Sequence, residues 1–245
     1  MEDMMTYAKD YLVPYSYCDL KGRMTLCAIL KEAQQISMEH CDHLGMGSNF
    51  MQKVNRAFLL AKIAVHVNRI PMGGEQLTLV TIPYIPVRAQ YRRDTQILDQ
   101  NGNLLVDVHS IWVLVDLSNR KIMAHPPEDM PVVAHFYNLQ KVDDIRFPKN
   151  AQLEKKETVK VRFCHLDNNN HVNNAVYADM VLNALEDQLM EGKQLKKFSI
   201  IYHNEAVYHD HIDLMIERGP VNLVRGMVGN SHCFDSMIEF QEDGE

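Results

Sequence analysis

The sequence predicts an α+β chain that builds one sheet-wrapped-helix unit twice, and three observations lead there. The order strand, helix, antiparallel meander runs through the first 124 residues and starts again at residue 158. Displaced by 148 residues, the two halves match Val13 with Val161, Tyr15 with Phe163, Asp19 with Asp167 and Met24 with Val172, the mark of an internal duplication. Each copy also offers one apolar helix beside several short strands, a composition that suits a sheet curled around a single helix.

The elements of the first copy follow from local pattern. Leu26, Ile29, Leu30, Ala33, Ile36 and Leu44 recur at helical spacing, so a helix is expected from about Thr25 to Leu44, with Gly45 as its C-terminal cap. Residues 58–67, 76–85, 89–98 and 104–116 are rich in β-branched and aromatic side chains and read as strands; "DQNGN" (99–103) reads as a hairpin turn. Residues 125–157 carry four prolines and many charges without a sustained period, and are expected to be a linker between a first repeat, 1–124, and a second, 158–245.

In the second copy a strand is expected at 158–164, a helix at 174–190, and further strands near 198–208, 212–218, 221–228 and 232–240, with turns at Gly219-Pro220 and Gly229-Asn230. The helix is apolar around most of its circumference (Val176, Met180, Val181, Leu182, Ala184, Leu185) and suits the concave face of a sheet.

Composition excludes several classes of function. With 25 basic against 32 acidic residues the formal charge is −7, against a nucleic-acid binder, which needs a basic face for phosphate. The opening "MEDMMTYAKD" lacks the cationic and long apolar regions of a secretory signal, and no run of about 18 apolar residues marks a membrane span. A cytoplasmic protein is the expectation. Five scattered cysteines without a C-x-x-C pair support neither a disulfide framework nor a zinc knuckle.

The polar corner "DNNNHVNN" (167–174), set between a strand and an apolar helix, is the candidate site. Asp167, Asn169 and His171 alternate, so an extended loop would project all three side chains to one side. They lie at the amino end of the helix, where free N–H groups favour a developing negative charge. The corresponding residues of the first copy are Asp19, Lys21 and Arg23, and aligning "YHNEAVY" (202–208) with "HVNRIPM" (66–72) sets Glu205 against Arg69. Histidine and carboxylate thus stand where the first copy has permanent cations, so acid–base chemistry is confined to the second. Glu205, expected on the strand after the helix and partly sheltered by the core, is a candidate general base.

Plainer readings compete with these. Asparagine-rich corners serve as turns and helix caps, which accounts well for Asn173 and Asn174 and less well for His171. His209 and His211, with Asp213 following, form an H-x-H whose shared strand face suits zinc, although surface histidines are the commoner origin of such a pair. Cys164 beside His165 raises a thiol nucleophile, against the usual packing role of a lone cysteine. Fifteen methionines suit either an adaptable apolar tunnel or ordinary core.

At these residues the sequence resembles the acyl-acyl carrier protein thioesterases, the plant plastid enzymes and their bacterial relatives, which have a tandem (double) hot-dog fold. Their D-x-N-x-H-V-N-N signature stands here as Asp167 to Asn174, and their downstream tyrosine, two basic residues, glutamate and cysteine as Tyr202-His203-Asn204-Glu205-Ala206. "LKEAQQISMEHCDHLGMG" (30–47), "NRIPMGGE" (68–75) and "WVLVDLSNRKI" (112–122) extend the likeness over about residues 10–240. Ala206 replaces the cysteine, so a Cys-His-Asn mechanism is closed at that position. Without a plastid transit segment, the resemblance implies a bacterial-type, cytosolic member.

The resemblance implies hydrolysis of a fatty acyl thioester carried on acyl carrier protein, with no metal or organic cofactor. Glu205 would take a proton from water, Asn169 and the helix amino end would polarise the carbonyl, His171 would bond the water or intermediate, and Asp167 would orient its neighbours; whether Glu205 or His171 is the base stays open. The thiolate leaving group, of conjugate-acid pKa about 8.5, needs little protonation. The acyl chain is expected in a tunnel largely in the first copy, where each buried methylene contributes about 0.8 kcal/mol, so that blocking two carbons shifts selectivity roughly tenfold. An acidic carrier calls for a basic docking patch, with Arg88, Arg92 and Arg93 or Lys193, Lys196 and Lys197 as candidates. An acyl-coenzyme A thioesterase of the same fold and a non-catalytic acyl-binding module are the alternatives. A homodimer and a monomer both fit, because duplication supplies in one chain what a hot-dog dimer supplies with two.

Overall fold

The computed structural model describes residues 6–130 and 145–242. The chain divides into two compact units, Met1–Ile63 with Asn68–Asp143, and Ala64–Val67 with Asp144–Glu245. The middle of the expected linker, 131–144, lies outside the described residues.

The first unit contains β1 (Tyr7–Leu12), α1 (Leu26–His43), a short α2 (Ser48–Lys53), β2 (Arg56–Val67) as far as Ile63, β3 (Gln76–Pro83), β4 (Gln90–Leu98), β5 (Leu104–Asp116) and the two-residue β6 (Lys121–Ile122). Its sheet runs β1-β3-β4-β5-β2, antiparallel wherever the register is defined. α1 starts where Thr25 Oγ1 accepts the Ala28 N–H at 3.2 Å and stops at Gly45, whose φ of +71° is the left-handed geometry expected of the cap. Its buried stripe, Leu26, Ile29, Leu30, Ala33 and Ile36, packs on β1, β3 and β4, and β3 answers with strict alternation that buries Leu77, Leu79 and Thr81. The β4–β5 hairpin turns where Asp99 Oδ1 accepts the N–H groups of Asn101 and Asn103, both at 2.8 Å, and Gly102 takes φ +82°.

The second unit contains β7 (Glu154–Lys160), α3 (Val176–Asn183), α4 (Glu186–Met190), β8 (Lys193–Tyr202), β9 (His211–Glu217), β10 (Asn222–Val228) and β11 (Ser231–Glu242), in the sheet order β8-β11-β10-β9-β7. Tyr177, Ala178, Met180, Val181, Ala184 and Leu185 form the buried stripe, with Val176 and Leu182 half-exposed. Tyr177 packs against Phe234 at 5.1 Å between ring centres. Phe234 in turn needs Gly226 across the strand pair, because a Cβ there would lie 2.2 Å from its ring.

Three expectations shift. The edge strand β7 begins at Glu154 and ends at Lys160, with Phe163–His165 forming a 3-10 turn where the end of a strand was expected. Its sequence, EKKETVK, reads as linker because an exposed edge strand is charged on both faces; Lys155 and Thr158 tie it to Asp213 of β9 at 2.8 and 2.6 Å. The single helix expected over 174–190 is two, α3 and α4, since Asp187 and Gln188 are drawn to the β9–β10 turn by Arg218 (2.8 and 2.9 Å) and Asn222 (3.0 Å). Finally, β8 spans 193–202 rather than about 198–208, which removes Glu205 from the strand.

Candidate active site

The two corners have the same hydrogen-bonded turn. In the first unit Asp19 Oδ1 accepts the N–H groups of Lys21 and Arg23 at 2.8 and 3.0 Å, the Asp19 N–H donates to Arg23 O at 2.8 Å, and Gly22 sits at φ +75°. In the second Asp167 Oδ1 accepts from Asn169 and His171 at 2.8 and 3.3 Å, the Asp167 N–H donates to His171 O at 2.8 Å, and Asn170 takes φ +63°. Short polar side chains suit this geometry because they satisfy the turn's own backbone donors. The corner is therefore not the extended loop expected, and Asp167, Asn169 and His171 do not point together by alternation. Asp167 is spent on backbone. Asn169 is exposed, its Nδ2 3.5 Å from Asp167 Oδ2, and among the described residues no hydrogen bond links it to Glu205 or His171.

The segment after β8 completes the site. The His203 and Asn204 N–H groups both donate to Cys233 O, at 2.8 and 3.2 Å, as those of Asn68 and Arg69 donate to Leu105 O at 2.9 and 3.2 Å. Val172 N–H donates to Ala206 O at 2.9 Å, as Met24 N–H donates to Pro71 O at 2.8 Å. These matched bonds place Asn204 opposite Arg69 and Glu205 opposite Ile70, which corrects the expected pairing of Glu205 with Arg69 by one residue. Arg69 is instead engaged with Glu75.

The structure brings His171 and Glu205 together, Nε2 to Oε2, at 3.2 Å. A bridge between His171 and Val207 fixes the two segments side by side. Neither group is sheltered as expected of Glu205: the side chains are 32% and 58% exposed, because Glu205 leaves the sheet in a loop. The pair combines a carboxylate able to accept a proton with an imidazole able to donate or accept one. In the first unit the equivalents are Arg23, bonded to Asp19 Oδ2 at 3.0 Å, and Ile70, so that corner holds no such pair.

Tyr177, which the sequence reading did not single out, supports this arrangement from α3. Its hydroxyl accepts the Ala206 N–H at 3.2 Å, and it is 3% exposed; burial holds its phenol well above the ordinary range, so it stays neutral. Ala206, wholly buried, is thus gripped through both its N–H and its carbonyl, and the two residues beside the grip are Glu205 and, across the bond to Val172, His171. A tyrosine near the start of a mostly apolar helix was the available signal. The Tyr202 hydroxyl adds a bond to Asn174 O at 3.0 Å, and Asn173 Oδ1 accepts the Ala175 N–H at 2.9 Å just before α3.

Other candidates fall elsewhere. His209 stands in a turn at φ +73° while His211 and Asp213 lie on β9, so the H-x-H does not share one strand face, and Asp213 is committed to Lys155 and Thr158. Cys164 is exposed within the 3-10 turn. Arg92 and Arg93 are buried, which removes them as docking residues: Arg92 binds Asp94 at 2.9 and 3.2 Å, and Arg93 reaches His40 at 3.0 Å and Thr81 at 3.2 Å on the α1 side of β4. Lys193 and Lys197 on β8 face Glu242 and Glu239 on β11, which offsets that patch.

The family model described as the acyl-ACP thioesterase N-terminal domain matches residues 4–132, and that for the C-terminal domain matches residues 148–243. The chain belongs to the acyl-ACP thioesterase family. A chloroplastic acyl-[acyl-carrier-protein] hydrolase of Cuphea viscosissima is 27% identical over 89% of this chain and 55% of its own. A chloroplastic palmitoyl-acyl carrier protein thioesterase of Cuphea hookeriana is 24% identical over 89% and 54%. This member of the acyl-ACP thioesterase family thus spans about half the length of the curated relatives it matches. An acyl-ACP thioesterase from Bacteroides thetaiotaomicron superposes with a TM-score of 0.86 at 18% identity, covering 98% of this chain and all of the other. The 12:0-ACP thioesterase of Umbellularia californica gives 0.85 at 17%, covering 98% of both. The acyl-ACP thioesterase fold, a tandem of two hot-dogs in class α+β, is therefore shared across the whole chain.

Proposed function

We propose that this protein hydrolyses fatty acyl thioesters of acyl carrier protein, releasing the free fatty acid and the carrier thiol. The observation that carries the reading is the His171–Glu205 contact of 3.2 Å, formed in the second unit and absent from the matching corner of the first. Its relatives' names and the family assignment support the substrate class.

Glu205 takes a proton from a water molecule as the water oxygen attacks the thioester carbonyl, and the resulting oxyanion is stabilised by the exposed Asn169 amide, since the Ala175, Val176 and Ala178 N–H groups at the α3 amino end are bonded within the turn. His171, whose Nε2 lies 3.2 Å from Glu205 Oε2, faces the carboxylate and bonds the intermediate as it collapses. Collapse breaks the carbon–sulfur bond; the sulfur leaves as thiolate, and the proton held by Glu205 returns to solvent or to the thiolate. Asp167 acts through the turn that sets His171, and Asn169, exposed at its crest, is the donor that reaches an arriving substrate. The first unit, whose matching corner has Arg23 and Ile70 in place of His171 and Glu205, serves binding. Its cluster of Met46, Met51, Tyr91, Leu114 and Met130, packed against Phe58 and Trp112, suits a flexible apolar chain.

The test is incubation with a series of acyl carrier protein thioesters and analysis of the released acids. Wild-type protein should release acid from at least one chain length, and Glu205→Gln should lower that rate by about 10²-fold or more while leaving the melting temperature unchanged. Full activity in Glu205→Gln would remove the assigned base; a clear preference for the coenzyme A thioester of the same acyl chain would replace the carrier as partner.

A further inference from the structure

Beside the corner, the second unit carries a hollow of about 390 Å³ lined by residues 160–164 together with Tyr208 and His209. Its lining holds two permanent cations, Lys160 and Arg162, and no carboxylate, in a chain whose net charge is −7. Both cations are exposed, and among the described residues neither forms an ion pair. The carboxylate nearest in sequence, Asp210, is turned onto the Val207 N–H at 2.8 Å. Aromatic surface stands beside the cations: Phe163 is 82% exposed and Tyr208 49%.

The first unit shows what this turn looks like when it is closed. Gly74 and His209 occupy matching positions at φ +79° and +73°, and the Met72 N–H donates to Glu75 Oε2 at 2.9 Å as the Val207 N–H donates to Asp210 Oδ2 at 2.8 Å. There the Tyr15 ring covers the turn so closely that a Cβ on Gly73 would lie 2.7 Å from it, and one on Gly74 2.5 Å from its hydroxyl. In the second unit Tyr208 and His209 replace the two glycines, Phe163 replaces Tyr15, and Lys160 and Arg162 replace Leu12 and Pro14. A histidine is kept in a left-handed conformation where the duplicate uses glycine, and the surface that opens is cationic and aromatic.

We propose that this hollow is the docking surface for the acidic acyl carrier protein, with Lys160 and Arg162 meeting its carboxylates and Phe163 and Tyr208 covered by its apolar face. The inference rests on the carrier-linked substrate proposed above. Charge complementarity selects the partner, and tyrosine and arginine, both present here, are among the residues that most often carry binding energy at interfaces. Position agrees: Cys164 lies three positions from Asp167 and Tyr208 three positions from Glu205, at most about 11 Å of chain. A carrier seated there presents its prosthetic arm to the His171–Glu205 pair.

The experiment compares wild type, a Lys160→Glu/Arg162→Glu double variant, a neutral Lys160→Gln/Arg162→Gln pair and Phe163→Ala. Each is titrated with acyl carrier protein bearing a non-hydrolysable acyl amide and assayed on an acyl-pantetheine thioester that has no carrier. Wild-type affinity should fall as salt is raised. The charge-reversed protein should bind at least about tenfold more weakly, with the neutral pair and Phe163→Ala intermediate and acyl-pantetheine hydrolysis unchanged in all. Carrier affinity unaltered in the variants, or absent in the wild type, overturns the docking surface. So does an equal loss on acyl-pantetheine, which would make the residues part of the reaction centre. Carrier binding that depends on these residues without release of acid would uphold the surface and refute the proposed reaction.

Discussion

The Tyr177 hydroxyl and the Ala206 N–H meet at 3.2 Å in a wholly buried setting, and this bond couples the first turn of α3 to the segment that carries Glu205. Tyr177→Phe keeps the ring packing on Phe234 and leaves the Ala206 N–H without an acceptor, which costs about 1–3 kcal/mol. The expected result is a melting temperature lower by ~2–4 °C per kcal/mol lost, together with a fall in kcat at nearly constant KM, since the proton-transferring pair loosens while the acyl-binding surfaces are untouched. A Tyr177→Phe protein with wild-type melting and wild-type kcat would show that the grip on Ala206 does not need the hydroxyl.

Arg69 supplies a test of register. Because its structural partner in the second unit is Asn204 and not Glu205, and because its guanidinium is exposed and engaged by Glu75, it contributes to a loop and to nothing at the matching corner. Arg69→Ala should lower stability by less than about 1 kcal/mol, as exposed ion pairs do, and leave turnover within about twofold. A loss of activity comparable to that of Glu205→Gln would mean that the alignment of the two copies is misplaced.

On β4 and β5 of the first unit, His109 Nδ1 lies 2.9 Å from Asp94 Oδ1, and its Nε2 faces Asp107 Oδ2 at 3.4 Å. Burial and the neighbouring Arg92 cation push the imidazole down, but the bond to Asp94 and the two carboxylates outweigh them and raise it above its ordinary 6.5. Burial likewise pushes Asp94 up, and the bonds from His109 and Arg92 prevail and hold it below 3.8. The histidine therefore contributes stability that is fully present below pH 6.5 and is lost as pH rises through its higher folded value; Asp94 contributes stability present above 3.8 and lost as pH falls through its lower folded value. Melting temperature should decline as pH is raised from 6 toward 8, and His109→Gln should flatten that part of the profile. An identical slope in the variant would assign the decline to other groups.

What was legible in the sequence is what local chemistry decides. The 3.6-residue spacing from Leu26 to Ile36, the Thr25 cap, Gly45 and the Asp99 turn specify α1 and the β4–β5 hairpin without help from distant residues, and the matched aspartates at 19 and 167 are turn formers whose side chains bond their own backbone. The His171 side of the site was legible because the duplication sets it against Arg23, whereas the contrast that singled out Glu205 was drawn with Arg69, one residue off its structural equivalent Ile70. What was missed depends on partners far away in sequence. The break between α3 and α4 is set by Arg218 and Asn222, the burial of Arg92 and Arg93 by His109, His40 and Thr81, and the exact pairing after β8 by the bonds to Cys233 and Ala206 carbonyls. Sequence spacing also misjudged the corner itself, because an alternating pattern implies a shared side only in an extended chain, and Asn170 turns at φ +63°.

The equivalence of Asp19 and Asp167 allows structure and chemistry to be separated within one molecule. Each carboxylate accepts two backbone N–H groups of its own turn, so Asp19→Ala and Asp167→Ala should destabilise by similar amounts, about 1 kcal/mol each. Asp19 has in addition the 3.0 Å bond from Arg23 Nε, so its loss is expected to be at least as large. Activity should divide differently. Loosening the Asp167 turn frees the His171 backbone and with it the approach of Nε2 to Glu205, whereas loosening the Asp19 turn frees Arg23, with Ile70 at the position that Glu205 holds in the second unit. Asp167→Ala should therefore lower kcat by about tenfold or more and Asp19→Ala leave it nearly unchanged, while Asp167→Asn, which keeps one acceptor oxygen for the turn, should restore most of the loss. Recovery in Asp167→Asn is what a positioning role requires, because an amide cannot take up a proton; a variant as inactive as Asp167→Ala would show that the carboxylate's charge, and not its grip on the turn, is what the reaction uses.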